Sequence, residues 1–394
     1  MSREGLGVDV SAALGWPMRL GSASFGMLFF LLPVYAKRLG ASAVQIGGLF
    51  SVFGLVLVLI RALVGWALDR YGRKGFLIAA LLFYAVAMGL FAAGGASLAI
   101  LYLARLVQGL GASFLWISAY TMATDGVAEA QRGRAVGRVD GASAQGSLYG
   151  TAFGFSFLLW VGLETGWRLL FVVYGGLALI ATWLAWRRVP DTRASPELRP
   201  AEPGRLLSWL PRLMGLVFVT TLSSALINAI LLIFLQDRFT RDVALLSLAF
   251  VPAAIVQSYL PARTGRLSDR FGRVPLIAAG FASSGLVSLL LPYVPSLLWL
   301  TTLWAVQAVG LVVAAPAQKA LVADLTGSEA RGRGYGLYVV ASDLGITIGP
   351  LIGGWLYDSA GQAAPFLING LVLLGSSALV PLLFGRRPAP RPAN

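Results

Sequence analysis

Apolar stretches of about twenty residues, each long enough to cross a bilayer as a helix, alternate with short polar turns along the whole chain. The pattern predicts twelve spans, at approximately 17–36, 44–64, 75–95, 98–122, 136–161, 167–187, 212–236, 243–264, 274–292, 296–319, 334–358 and 364–385. Barrel-type alternation in segments of about ten residues is absent. Helices satisfy their own backbone groups, as the interior of a bilayer demands. The apolar rhythm stops once, at 188–211, where Pro190, Pro196, Pro200 and Pro203 mix with charged residues. This reads as a linker. It separates an N-terminal six-helix half, residues 1–187, from a C-terminal half, residues 212–394. Arg205-Leu-Leu-Ser-Trp-Leu can lie along the membrane surface before span seven. The expected fold is an all-α polytopic membrane protein of twelve transmembrane helices in two pseudo-symmetric halves.

The halves repeat one another. Gly65-Trp-Ala-Leu-Asp69-Arg70-Tyr-Gly72-Arg73-Lys74 returns 200 residues later as Gly265-Arg-Leu-Ser-Asp269-Arg270-Phe-Gly272-Arg273-Val274. At an offset of 199, Gln108, Gly111, Asp125 and Arg132-Gly133-Arg134 meet Gln307, Gly310, Asp324 and Arg331-Gly332-Arg333. In spans five and eleven, Ser143, Gly146, Gly150 and Gly154 meet Ser342, Gly345, Gly349 and Gly353. Internal repeats of this kind build transporters around an axis, with the substrate path along it.

Composition narrows the chemistry. The chain is 57% hydrophobic and 12% charged, with a mean hydropathy of +0.77, too little charge to cover a soluble protein of 394 residues. It has no cysteine and no histidine, which removes thiol chemistry, the commonest general base and the commonest metal ligand. Neither an enzyme nor a metal site is expected. No G-x-x-x-x-G-K-[ST] loop is present, so any pumping would draw on a gradient. The net charge of +14 does not indicate nucleic acid, because the basic residues lie in turns between spans. With both termini in the cytoplasm, the outer loops would hold Lys37, Arg38, Arg168, Arg238 and Arg241, 5 of the 31 basic residues. The positive-inside rule therefore places both ends in the cytoplasm. Residues 1–15 lack a cleavage site, so span one is expected to stay in the chain.

At these motifs the chain resembles the major facilitator superfamily over its whole length. Gly65-x-x-x-Asp69-Arg70-x-Gly72-Arg73-Lys74 looks like that family's loop motif between spans two and three, present here twice. Arg105-x-x-Gln108-Gly109-x-Gly111-Ala112 looks like its span-four motif. Pro33-Val-Tyr-Ala-Lys37-Arg38-Leu-Gly40 resembles the end of span one in the drug-efflux branch. Two departures stand out. The G-x-x-x-G-P-x-x-G-G signature of proton antiporters, normally in span five, has Thr151 for its proline there, and is intact in span eleven as Gly345-Ile-Thr-Ile-Gly349-Pro350-Leu-Ile-Gly353-Gly354. Span one lacks the carboxylate that many proton-driven drug exporters keep.

The resemblance implies an inner latch made of the repeated turns. Gly72 and Gly272 suit a sharp reversal. Asp69 would face the N-terminus of span eleven and Asp269 that of span five. Arg73 would pair with Asp125, and Arg273 with Asp324, with Arg70 and Arg270 alongside. The same arginines also suffice as plain topology anchors. The glycine rows let helices approach closely, and the resemblance places spans five and eleven against spans eight and two.

For coupling, Arg105 lies inside span four about 30 Å from Asp125 along the helix. It can bind an anionic substrate, tune a carboxylate, or snorkel to the outer surface. Asp343, about 14 Å into span eleven, is placed to carry a proton or to make a structural bond. Asp140 is shallower and has Arg134 and Arg138 within two turns, which favours a structural role. Phe25, Phe29, Trp116, Tyr120, Tyr149, Asn228, Gln257 and Gln307 are aromatic or polar residues within spans and are candidates to line a substrate cavity.

The expected function is secondary active transport by alternating access. The cargo would be amphipathic drugs or metabolites exported in exchange for protons, with no cofactor. A monomer in the bacterial inner membrane is expected, its partners a small-molecule substrate and the bilayer. Two alternatives stay open: a narrow permease for sugars, organic anions or lysolipids without proton coupling, and a transporter-like ligand sensor.

Overall fold

The computed structural model describes residues 10–94, 97–125, 129–192, 210–260 and 270–384. The described residues contain helices and turns and no strand. Among the described residues ten helices are long and apolar enough to cross a membrane. The other two expected spans are also helical. Span five is Glu129–Val161, whose glycine, serine and charged residues dilute its apolar character. Span eight is Val243–Tyr259. Spans ten and eleven join in one helical run, Leu297–Ala360, where the sequence suggests a loop. A straight run of 64 residues would measure about 96 Å, three times the hydrocarbon thickness. Within that run, the segments long and apolar enough to cross a membrane are Leu297–Val322 and Gly336–Ala360.

Spans one and seven are interrupted. Span one comprises Gly15–Gly21 and Phe25–Arg38, and span seven Leu210–Asn228 and Ile230–Arg238. The break in span one leaves the Gly26 N–H without a helical partner, and it donates to Ser147 Oγ of span five at 3.0 Å. Ser143 and Ser22 bond at 2.8 Å, and Arg19 Nε donates to Gln145 at 2.9 Å.

Two compact units result, Met1–Ala41 with Val52–Ala201, and Ser42–Ser51 with Glu202–Asn394. The outer turns of span two thus gather with the second unit. Ser42 and Gln45 form a reciprocal capping box there, Ser42 N–H donating to Gln45 Oε1 at 2.9 Å and Gln45 N–H to Ser42 Oγ at 3.3 Å. The next two N–H groups, of Ala43 and Val44, donate to the Asp358 carboxylate of span eleven at 3.1 and 2.8 Å.

Inside each unit the same contacts recur at the repeat offset. A side chain on Gly146, Gly150 or Gly154 would meet Arg19 and Ala23 backbone oxygens and the Met27 side chain of span one. A side chain on Gly345, Gly349 or Gly353 would meet Phe218, Leu222 and Leu226 backbone oxygens of span seven. Each partner in the second unit lies 199 residues after its counterpart. These rows pack within their own units, against spans one and seven. Neighbouring positions of span eleven do reach span two: Pro350 abuts Gly47, and Gly354 abuts Ala43. Spans three and nine are likewise equivalent. Span three packs against spans four and six, and span nine against spans ten and twelve. Gly111 leaves room for the Ala80 carbonyl, and Gly310 for that of Gly280.

The second unit also buries a polar knot. Asn369 Nδ2 donates to Ser288 Oγ at 2.9 Å, and Ser223 Oγ donates to Asn369 Oδ1 at 2.8 Å, joining spans seven, nine and twelve. The apolar core around it runs from Leu213 and Val217 through Ile277 and Phe281 to Val322, Leu373 and Val380.

Gly150→Leu and Gly353→Leu should each lower the thermal midpoint of the purified protein by the equivalent of about 1–3 kcal/mol or more, because a backbone carbonyl must move. Gly176→Ala, with open space at its Cβ, should leave the midpoint unchanged or raise it. Equal midpoints for all three variants would show that the close approach is not needed.

Candidate gating and substrate site

The repeated turn forms as its residues require. Gly72 and Gly272 both adopt φ of +86°, a left-handed conformation open to glycine and strained for other residues. Each is followed at once by the next helix. Arg73 lies buried and forms an ion pair with Asp125, the last residue of the span-four turn; their side chains are 4% and 14% exposed. Spans three and four are thereby tied at the arginine-rich end of the first unit.

Asp191 completes this tie. It follows the C-terminus of span six, and its Oδ1 accepts from the N–H groups of Arg73 and Lys74 at 3.4 and 3.1 Å. A carboxylate at the first turn of a helix answers both its unsatisfied donors and its dipole. The sequence reading counts Asp191 as linker charge. Its position just past the end of span six was the available signal, since any acid there meets the start of span three if those spans are neighbours.

Arg70 and Arg270 are both exposed, and each guanidinium lies over the ring of the next residue, Arg70 at 5.7 Å from Tyr71 and Arg270 at 5.5 Å from Phe271. Arg273 is half-buried. Asp269 lies outside the described residues, as do the side chains of Asp69 and Asp324.

A second cluster occupies the first unit. Arg105 is 6% exposed; its Nη1 donates to Gln108 Oε1 at 2.7 Å, and its guanidinium sits 4.4 Å from the centre of the Phe53 ring. The buried position sets aside snorkelling to the surface. The glycines of the span-four motif explain the neighbours. Gly109 admits span two: an added Cβ would lie 2.8 Å from Val56 Cβ and 3.1 Å from the Phe53 carbonyl. Gly111 admits span three, where an added Cβ would lie 3.2 Å from the Tyr84 ring. Phe53 and Tyr84 are thus brought to Arg105 from two sides, and Tyr84 interacts with it electrostatically.

From Tyr84 an aromatic row continues. Phe25 lies 5.3 Å from Tyr84 and 6.2 Å from Trp116, and Trp116 lies 5.5 Å from Tyr120, centroid to centroid. Tyr120 O–H donates to Asp140 at 2.6 Å. Three cavity candidates, Phe25, Trp116 and Tyr120, therefore meet one coupling candidate, and all three are half-buried. Asp140 is exposed. Phe29 and Tyr149 are exposed, Tyr149 by 65%, and stand outside this row.

Candidates in the second unit do not form such a row. Asn228 and Gln257 are exposed. Gln307 is buried, and its backbone carbonyl accepts from Ser284 at 3.2 Å. Asp343 is half-buried, its carbonyl accepting from the Thr347 hydroxyl at 2.6 Å. Tyr357 O–H donates to Asp237 at 2.8 Å, joining spans eleven and seven. Among the described residues no cluster of acids could hold a metal ion.

Comparison with known proteins follows the same lines. The sequence profile of the Major Facilitator Superfamily matches residues 20–217 and again 213–394. Multidrug resistance protein 1 of Bacillus subtilis is 24% identical over 340 residues, covering 84% of this chain and 86% of that protein. Quinolone resistance protein NorA of Staphylococcus aureus is 23% identical over 360 residues, covering 89% and 90%. Among solved structures, a bacterial homolog of the human lysosomal transporter Spinster, in an inward-facing and occupied conformation, aligns with a TM-score of 0.73 at 16% identity, covering 95% of this chain and 94% of its own.

Removing one partner of a buried ion pair costs about 3–5 kcal/mol, because the other charge stays behind. Asp125→Ala and Arg73→Ala should each destabilise the protein strongly, and the double variant should lose much less than their sum. Additive losses in a thermal double-mutant cycle would show that the two side chains do not act together.

Proposed function

The chain belongs to the major facilitator superfamily, and on that footing we propose that it exports amphipathic small molecules in exchange for protons. It is a multi-pass membrane transporter, not an enzyme. The observation that carries the proposal is the half-buried aromatic row Phe25–Trp116–Tyr120 ending on Asp140. Aromatic faces take up flat apolar cargo of varied shape, and relatives named for multidrug and quinolone resistance favour the same cargo class. Asp343 and Asp140 are the groups available to carry a proton. Export would proceed by alternating access about a midplane site. The Arg73–Asp125 tie would serve the inner latch, with both termini in the cytoplasm and one chain as the working unit.

A narrower permease without proton coupling is the second reading. Span one has no carboxylate, and within the apolar stretches of the first half, 17–36 to 167–187, Asp140 is the one acid.

Ethidium accumulation in efflux-deficient bacteria expressing the chain separates the two. Proton-driven export predicts lower dye than the empty vector, rising to the control level when an uncoupler is added. Asp343→Asn should then abolish uphill export while leaving downhill exchange intact. Dye equal to the empty vector, with the protein shown in the membrane, rejects broad export in favour of the permease.

A further inference from the structure

Tyr84 is fully buried on span three, yet among the described residues its hydroxyl has no hydrogen-bond partner. A buried polar group left unmatched costs about 1–3 kcal/mol, and phenylalanine would fill the same space without that cost. Such a group in a folded protein calls for a reason. Its surroundings offer one. Arg105, its electrostatic neighbour, is a cation with five donors in a rigid fork. It is held from below by the Phe53 ring at 4.4 Å and from the side by Gln108 at 2.7 Å. These contacts fix the guanidinium in the interior of the unit. Spans one to four and span six contain no acid, so the interior is rich in donors and poor in negative charge. Phe25 adds an apolar face 5.3 Å from the Tyr84 ring, and Trp116 extends it.

We propose that Arg105 and Tyr84 form the headgroup subsite for an amphipathic carboxylate. Its oxygens accept from the Arg105 guanidinium and the Tyr84 hydroxyl, while its ring system lies along Phe25 and Trp116. Planar, two-oxygen anions match the guanidinium fork in a way that a hydroxyl or an amine does not. The assignment rests on the transport reading above and deepens it: the preferred cargo is an anion with an aromatic body. It also explains why an unmatched hydroxyl persists, since the hydroxyl is matched only when cargo is bound.

Three probes of one shape test this with the purified full-length protein: 2-naphthoate, 2-naphthamide and 2-naphthylmethylammonium, followed by calorimetric titration. Naphthoate should bind at least about tenfold more tightly than either other probe. Tyr84→Phe should weaken naphthoate about tenfold, leave naphthamide unchanged, and raise the thermal midpoint of the ligand-free protein. Arg105→Lys should keep the charge but lose most of the preference, because a point charge lacks the fork. Equal binding of the three probes, preference for the ammonium, or absence of naphthoate binding overturns the subsite. So does a Tyr84→Phe variant that binds naphthoate normally. Proteoliposomes then separate this result from the transport reading. Export of dye with no naphthoate preference rejects the subsite alone. Naphthoate binding with no movement of naphthoate or dye rejects transport and leaves the subsite standing.

Discussion

Helices in a bilayer gain little by hiding apolar side chains from one another, because the lipid tails are as apolar as leucine. What holds them is close contact and internal hydrogen bonding. Here that contact is backbone against backbone. Gly146, Gly150 and Gly154 accept span one at the distance of its carbonyls, and Gly345, Gly349 and Gly353 do the same for span seven. The interruptions in spans one and seven sit beside these rows, so freed backbone groups find partners across the contact, as Gly26 does on Ser147. Larger residues at these positions would push the helices apart and leave those donors unmet.

The first unit carries its chemistry on the opposite flank of the same logic. Gly109 and Gly111 bring spans two and three against span four, and the residues delivered there are Phe53 and Tyr84. The buried Arg105 is thus surrounded by aromatic rings and by a hydroxyl awaiting a partner. The span-four motif is therefore a packing device and a charge-placing device together. In the second unit the position equivalent to Arg105 is Trp304, and buried Ser223, Ser288 and Asn369 bond to one another. Duplication preserved the packing rows in both halves, while the buried charge resides in one.

The ends of the helices show a related economy. Two helix starts take acceptors from elsewhere in the chain. Asp191 supplies them to span three and Asp358 to span two. Both carboxylates lie beyond the end or at the last turn of a different span, so they join elements distant in sequence as well as capping a helix.

The sequence by itself determined the spans, the repeat and the family motifs, because apolar length, glycine spacing and charged turns are local properties written in order along the chain. The pairing of Arg73 with Asp125 was legible only through the family resemblance, which implies it, and the structure forms it. Tertiary structure alone decided which residues meet across spans. Nothing local marks Asp191 as the cap of span three, Tyr120 as the donor to Asp140, or Tyr84 as the neighbour of Arg105. Those meetings depend on which helix lies beside which and on how each is rotated about its axis. A helix in lipid shows little periodicity to reveal that rotation, since its outer face is as apolar as its inner one.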